Sequence, residues 1–170
     1  MNMKINKKKF EIFLEIAKNL NHFLDITPIV YGSLGLYRII GERGKCEDID
    51  ILIPNEFINE KWNELVSVME KIGFKLGNEH KHEFIRDLGT IAFLEQNDLI
   101  RRINLYPDSL TVHSINDIKF KELSIENYLA AYKFMVQDEY RQQEKKKSDQ
   151  EKVNLIEKYI HNTQAKLERK

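Results

Sequence analysis

One cysteine in 170 residues leaves Cys46 without a partner inside the chain. An intramolecular disulfide and a multi-cysteine zinc site are therefore excluded, and a reducing compartment fits. Neither sign of charge prevails, with 27 Lys+Arg against 27 Asp+Glu, so nucleic acid and membrane surfaces exert no global attraction and any basic site must be local. No apolar run approaches the roughly 18–20 residues of a membrane span. The opening MNMKINKKKFEIFLEIAKNL is interrupted by Glu11, Glu15 and Lys18 where a signal peptide needs a continuous apolar core, so a cytoplasmic protein is expected. The chain falls short of the roughly 250 residues of a TIM barrel and of a two-domain dehydrogenase. No internal repeat or low-complexity linker divides it. What is present, 42% hydrophobic and 32% charged residues, suffices for one core. One domain over 1–170 is expected, with a core at about 28–113 and a helical part at about 124–168.

Phe10, Phe13, Leu14, Ala17, Leu20 and Leu24 recur at helical spacing and predict an amphipathic helix closed before Thr27-Pro28. The run Ile29-Val30-Tyr31 then meets Gly32-Ser33 and the periodic segment LGLYRII up to Gly41, which reads as strand, tight turn and helix. After the loop ERGKCE, DIDILIP alternates Asp48, Asp50 and Leu52 with Ile49, Ile51 and Ile53, a second strand with one polar end. Asn55 is placed to cap a helix carrying Phe57, Trp62, Leu65, Val66, Met69 and Ile72, with Gly73 ending it. From residue 74 to 113, β-type runs (GFKL, HEFIRD, GTIAFLE, IRRINLY, LTVH) alternate with turn residues and predict an antiparallel extension of the sheet. Ser124 caps a helix with Ile125, Leu129, Tyr132 and Val136 on its apolar face. Beyond the charged stretch DEYRQQEKKKSDQEK, a last helix carries Val153, Ile156, Ile160 and Leu167. The expected class is α+β, a mixed sheet flanked by helices with the C-terminal helices packed on it.

Two features carry chemistry, and their physics belongs together. A glycine at a strand-to-helix turn lets the backbone approach a ligand closely, and the first free N–H groups of the helix favour an anion such as phosphate; Ser33 adds a hydroxyl. Residues two apart on a strand share a face, so Asp48 and Asp50 project together while the isoleucines enter the core. Two carboxylates that close repel unless a cation lies between them, and hard oxygen ligands suit Mg²⁺ bridging a nucleotide's phosphates. Taken singly, the aspartates also fit the solvated face of a half-buried strand, and Gly32-Ser33 an ordinary turn with Ser33 as N-cap.

In its run PIVYGSLGLYRIIGERGKCEDIDILIP the chain resembles the polymerase-β-like nucleotidyltransferase superfamily, whose core is a hydrophobic strand, Gly-Ser or Gly-Gly, a short helix and a strand with Asp-x-Asp. Size and layout look most like the small single-domain members related to antibiotic adenylyltransferases and to nucleotidyltransferase-type toxin proteins. The resemblance implies two Mg²⁺ ions on Asp48 and Asp50, a nucleoside triphosphate such as ATP with its phosphates on Gly32 and Ser33, and attack of an unidentified acceptor hydroxyl on the α-phosphorus with pyrophosphate leaving. It also implies a third carboxylate on a neighbouring strand. GTIAFLE offers Ala92 and Phe93 there, so Glu95 or Asp87 must substitute, and Glu95 is preferred because it shares a face with Ile91 and Phe93. Cys46-Glu47 stand where related enzymes often carry Ser or Thr. The missing acid motivates an alternative, a catalytically inactive binding or regulatory protein of the same fold, paired with another protein.

Lys133, between Leu129 and Val136 on an apolar stripe, either snorkels or reaches an anion; related enzymes have a phosphate-binding lysine at about this place. Arg141, Lys147 and Asp149 fall in a stretch resembling the family's C-terminal motif. His80 and His82 lack a third metal ligand nearby and read as an exposed turn, and Cys46 reads as a bystander. Arg101-Arg102 and Lys145-Lys146-Lys147 read as solvated surface. Without a sustained basic, aromatic-interleaved face, an RNA-directed activity has little support.

Overall fold

The structure, a computed structural model, describes residues 2–41 and 44–169; Glu42 and Arg43 of the expected loop lie outside the described residues. A 23-residue helix, α1 (Asn2–Leu24), leads into strand β1 (Ile29–Tyr31), helix α2 (Gly32–Ile40) and strand β2 (Ile49–Ile53). Helix α3 (Trp62–Lys71) precedes strands β3 (Lys75–Asn78), β4 (Glu83–Arg86) and β5 (Gly89–Glu95). Then follow helix α4 (Asp98–Ile103), the hairpin β6 (Val112–Ile115) and β7 (Ile118–Glu122), and helices α5 (Ile125–Gln137) and α6 (Gln143–Glu168). The strands form one seven-stranded mixed sheet in the order β3-β4-β5-β2-β1-β7-β6. The α+β class with C-terminal helices against the sheet is borne out. Among the described residues no helix is long and apolar enough to cross a membrane.

Strand alternation divides the sheet between two cores. Ile49, Ile51 and Ile53 of β2, with Phe84, Ile91 and Phe93, pack against Phe13, Ile16 and Leu20 of α1 and Leu65 and Met69 of α3. On the opposite face Ile29, Tyr31 and Leu52 meet Leu99 of α4, Tyr128 and Tyr132 of α5, and Val153 and Ile156 of α6. At period two, Asp50 shares a face with Leu52 and therefore looks toward α4, α5 and α6.

Several local expectations change. Asn55 starts only a single 3-10 turn over Asn55–Phe57 and caps no helix. Its amide instead reaches Glu95 Oε2 at 3.4 Å and its carbonyl accepts from the Asn97 backbone at 3.4 Å, so it staples the sheet's end. IRRINLY is helical at its start rather than a strand. Leu99 and Ile103, four apart, face the second core, and Asn104 ends the helix in the left-handed region at φ 53°. Strand β7 was not among the expected runs. Its signal is Asn116-Asp117, both at positive φ, which join Ile115 to Ile118 as a two-residue hairpin turn. β7 then runs parallel to β1 rather than extending an antiparallel array. Helix α6 already begins inside the charged stretch.

Candidate active site

Tyr31, the last residue of β1, pairs across the antiparallel ladder with Asp50. The chain then turns at Gly32, φ 63°, straight into α2. Glycine is needed there twice over. Its backbone lies in the left-handed region, and a Cβ would lie 3.0 Å from Asp50 Cγ and overlap Oδ2 outright. Gly35, one turn on, leaves room for the Tyr128 hydroxyl, which donates to the Val30 carbonyl at 3.3 Å. The N-cap is Tyr31, with no side-chain cap bond, rather than Ser33. The first N–H groups of α2 are thus left to an anion.

Ser33 Oγ instead donates to Cys46 Sγ at 3.6 Å, and that thiol donates to the Asp48 carbonyl at 3.1 Å. Cys46 therefore ties the Gly32-Ser33 turn to the aspartate strand, and burial pushes its thiol above the usual range, which keeps it protonated and able to donate. The preceding loop is also fixed from α1. Lys9, 5% exposed, donates to the Cys46 carbonyl at 2.7 Å and to the Glu47 carbonyl.

Asp50 lies at the bottom of the site, enclosed by protein except toward the cavity. Burial, then the repulsion of Asp48, pushes its carboxyl up to about 6, against the pull of Lys152, Arg141 and Lys145. Asp48 is raised too, first by burial, while Lys9 opposes the shift. Among the described residues no hydrogen bond or ion pair reaches the Asp50 carboxylate. Such a group is stabilised by an arriving cation.

Both aspartates, Gly32 and Ser33 line a cavity of about 550 Å³ between the sheet and α4–α6. Its far wall is cationic. Arg102 comes from α4, and Lys145 and Lys152 come from one stripe of α6. Arg141 faces the cavity as well but is bound by the buried Asp149, with its Nη2 3.1 Å from Oδ1. Lys152 is held by Ser148 Oγ at 3.0 Å with its ammonium over the Tyr132 ring. Of these groups, Arg102, Lys145 and Lys152 read in sequence as surface or went unmarked. For Lys145 and Lys152 the signal is their shared helical face with Ser148, which depends on α6 beginning at Gln143; Arg102, on α4, carries no such signal.

Four expected residues are brought together, Gly32, Ser33, Asp48 and Asp50, and two are not. Glu95 pairs with Ile53, three positions beyond the pairing of Ala92 with Asp50. It shares the face of Ile91 and Phe93, the first core's face, whereas Asp50 looks the other way. Sharing that face, the reason for preferring Glu95, is what removes it from the site. Arg101 at 2.8 Å and Asn59 engage it and hold its carboxyl below the usual range. Asp87 lies exposed in the β4–β5 turn. Lys133 falls outside the buried stripe of α5, which is Tyr128, Ala131 and Tyr132; it is about half exposed and pairs with Glu157 of α6 at 3.0 Å. Lys147 is exposed, and His80 and His82 lie in a turn, His82 packed edge-on against Trp62. Ala92, the neighbour of Asp50 on β5, offers no ligand. Among the described residues no three His, Cys, Asp or Glu side chains gather to hold a metal. The two aspartates fit Mg²⁺ when phosphate oxygens and water complete its shell, the usual manner of Mg²⁺ binding at nucleotide sites.

No family model matches the chain. It is 39% identical over 155 residues to the uncharacterized protein YnaI of Bacillus subtilis, covering 91% of this chain and 99% of that one. Among solved structures it is similar to an antigenic nucleotidyltransferase-like protein from Paracoccidioides brasiliensis, with a TM-score of 0.59, 17% identity, and 86% and 73% of the two chains covered. It is also similar to the antibiotic-resistance factor ANT(2'')-Ia, with a TM-score of 0.51, 15% identity, and 99% and 97% covered.

Proposed function

Because the chain belongs to the family of Bacillus subtilis YnaI and carries the fold of nucleotidyltransferases, we propose that it is a Mg²⁺-dependent nucleotidyltransferase, acting as one domain on a nucleoside triphosphate and a hydroxyl acceptor. The observation that carries this reading is Asp50, a half-buried carboxylate that no side chain or backbone N–H pairs among the described residues, set beside Asp48 and against the opening of α2 at the wall of the cavity. A structural aspartate in that position would be paired or hydrogen-bonded. Asp48 and Asp50 would hold Mg²⁺, which supplies charge neutralisation on the phosphates. The free N–H groups at Gly32 and Ser33 bind phosphate oxygens, and Lys145, Lys152 and Arg102 orient the triphosphate from the helical wall. With the phosphates so fixed, the acceptor oxygen would attack the α-phosphorus while its proton passes to water, the bond from the α-phosphorus to the bridging oxygen breaks and pyrophosphate leaves, a reaction driven by positioning and charge stabilisation. The test is calorimetric. Mg²⁺ with a non-hydrolysable ATP analogue is expected to bind the wild-type protein and not Asp50→Asn, and wild-type protein silent toward every Mg²⁺–triphosphate would refute the reading.

Ala92 favours a second reading. Asp48 and Asp50 would suffice to hold one ion, while a second ion would find no carboxylate on β5, where Ala92 pairs with Asp50. In that reading the domain binds Mg²⁺–nucleotide without transferring it, as a regulatory partner of another protein. Binding without pyrophosphate release across a broad acceptor panel supports this second reading.

A further inference from the structure

Lys9 is the one strongly buried cation of the described residues, and nothing in the nucleotide site's own elements requires it. It projects from α1, on the side of the sheet opposite the cavity helices, and its ammonium ends on the carbonyls of Cys46 and Glu47, the two residues just before Asp48. No carboxylate pairs with it among the described residues. An ammonium taken out of water against two neutral carbonyls is an unfavourable element unless its charge or its grip serves something nearby. Gly89, at the start of β5, leaves the necessary space; a Cβ there would come within 3.3 Å of the Glu47 carbonyl and 3.7 Å of Lys9 Nζ.

We propose that Lys9 is a positioning residue for the divalent cation site, clamping the 46–47 backbone so that Asp48 is presented beside Asp50 and offsetting the repulsion between the two carboxylates. This rests on the nucleotidyltransferase reading of the same site. Two physical effects act together. Bonds from one ammonium to two successive carbonyls fix the orientation of the next residue, and a fixed positive charge on the strand side lets two carboxylates approach with no metal between them. It also follows that α1, outside the strand-turn-helix core motif, belongs to the working site. The basic run around Lys7, Lys8 and Lys9 contains one buried member and two exposed ones, which no composition argument separates.

The test compares wild type with Lys9→Arg, Lys9→Gln and Lys9→Met, using Mn²⁺ and a non-hydrolysable ATP analogue as probes. Mn²⁺ bound in the ternary complex is read by electron paramagnetic resonance, and analogue binding is measured with and without Mn²⁺. The expected result is a loss of at least tenfold in Mn²⁺-dependent analogue affinity for Lys9→Met, with metal-free analogue binding within twofold of wild type. Lys9→Gln, which retains a donor without charge, should fall between, and Lys9→Arg should recover most of the affinity. Equal loss with and without Mn²⁺, or no recovery in Lys9→Arg, would mean a merely structural clamp and overturns the proposal. Should Lys9→Met not fold, Lys9→Gln against Lys9→Arg decides by the same criterion. Wild-type protein that binds no Mn²⁺–analogue removes the nucleotidyltransferase reading itself. Wild-type binding with all Lys9 variants unaffected removes only the role of Lys9.

Discussion

Replacing Asp50 by Asn should stabilise the metal-free protein at neutral pH while abolishing the proposed divalent-dependent nucleotide binding. The Asp50 carboxyl titrates near 3.8 in an unperturbed setting and is pushed up to about 6 in the fold, first by burial and then by Asp48. The folded protein therefore holds this proton more tightly than the unfolded chain does. Its contribution favours folding below the unfolded value and is lost as pH rises through the folded one. At about 1.36 kcal/mol per pH unit, the ionised carboxylate destabilises the fold by about 3 kcal/mol at pH 7.5. Asn keeps the shape without the charge, so the variant should gain about 2–3 kcal/mol there, or roughly 6–10 °C in melting temperature for a chain of this size. At pH 4.5 the folded group is mostly protonated, and linkage reduces the gain to about 1 kcal/mol. Urea denaturation of both proteins at the two pH values, without divalent ions, measures the difference directly. A variant no more stable than wild type at pH 7.5, or a gain that does not shrink on acidification, would refute the view of Asp50 as a half-buried, unpaired charge suited to a cation.

Gly32→Ala places a methyl on the Asp50 carboxylate in a left-handed backbone; a loss of about 1–3 kcal/mol is expected in chemical denaturation, with analogue binding abolished even in the folded fraction. Glu95→Gln and Lys133→Gln should each leave Mg²⁺–analogue affinity within twofold, since both side chains are spent on surface pairs with Arg101 and Glu157, and stability should change by less than about 1 kcal/mol. Ala92→Asp, beside Asp50 on β5, should raise the Mn²⁺ count in the analogue complex from one to two by paramagnetic titration; an unchanged count argues against a shared face for these positions.

The parts of the site legible in the sequence are those within one strand-turn-helix-strand unit. Hydrophobic alternation at Ile49, Ile51 and Ile53 determines which way Asp50 looks, and a strand ending at Tyr31 before Gly-Ser leaves few conformations for the turn. What stayed hidden comes from elements distant in sequence. Lys9 and Asp48 are 39 positions apart, and Lys152 lies on a helix that begins inside a charged stretch at a position with no capping side chain; Gln142, the N-cap, makes no side-chain bond. Glu95 failed for a sharper reason. Parity along GTIAFLE is readable, and it places Ala92 and Leu94 opposite to Ile91, Phe93 and Glu95. Only the pairing of β5 with β2 reveals that the even positions face the cavity. Lys133 illustrates the converse, since the four-residue spacing from Leu129 suggested burial, while the helix in fact buries Tyr128, Ala131 and Tyr132.

The neutral charge of the chain has a local counterpart in the cavity. Lys45 pairs with Glu47 at 3.3 Å, Arg141 with Asp149, and Asp98 with Arg101. Those pairs cancel in place. The remainder is segregated, with Asp48 and Asp50 on the sheet wall and Arg102, Lys145 and Lys152 on the helical wall. Opposite charges held apart by a cavity gain little from one another through water. A ligand that is cationic on one side and anionic on the other engages both at once. A bare polyanion such as nucleic acid would meet the aspartates, and a bare metal ion would meet the lysines, so each loses on one wall what it gains on the other. A divalent ion already bound to a triphosphate presents the right sign to each wall. Under the proposed nucleotidyltransferase reading, the segregation favours the metal–nucleotide complex over either component and reconciles a chain of no net charge with so highly charged a ligand.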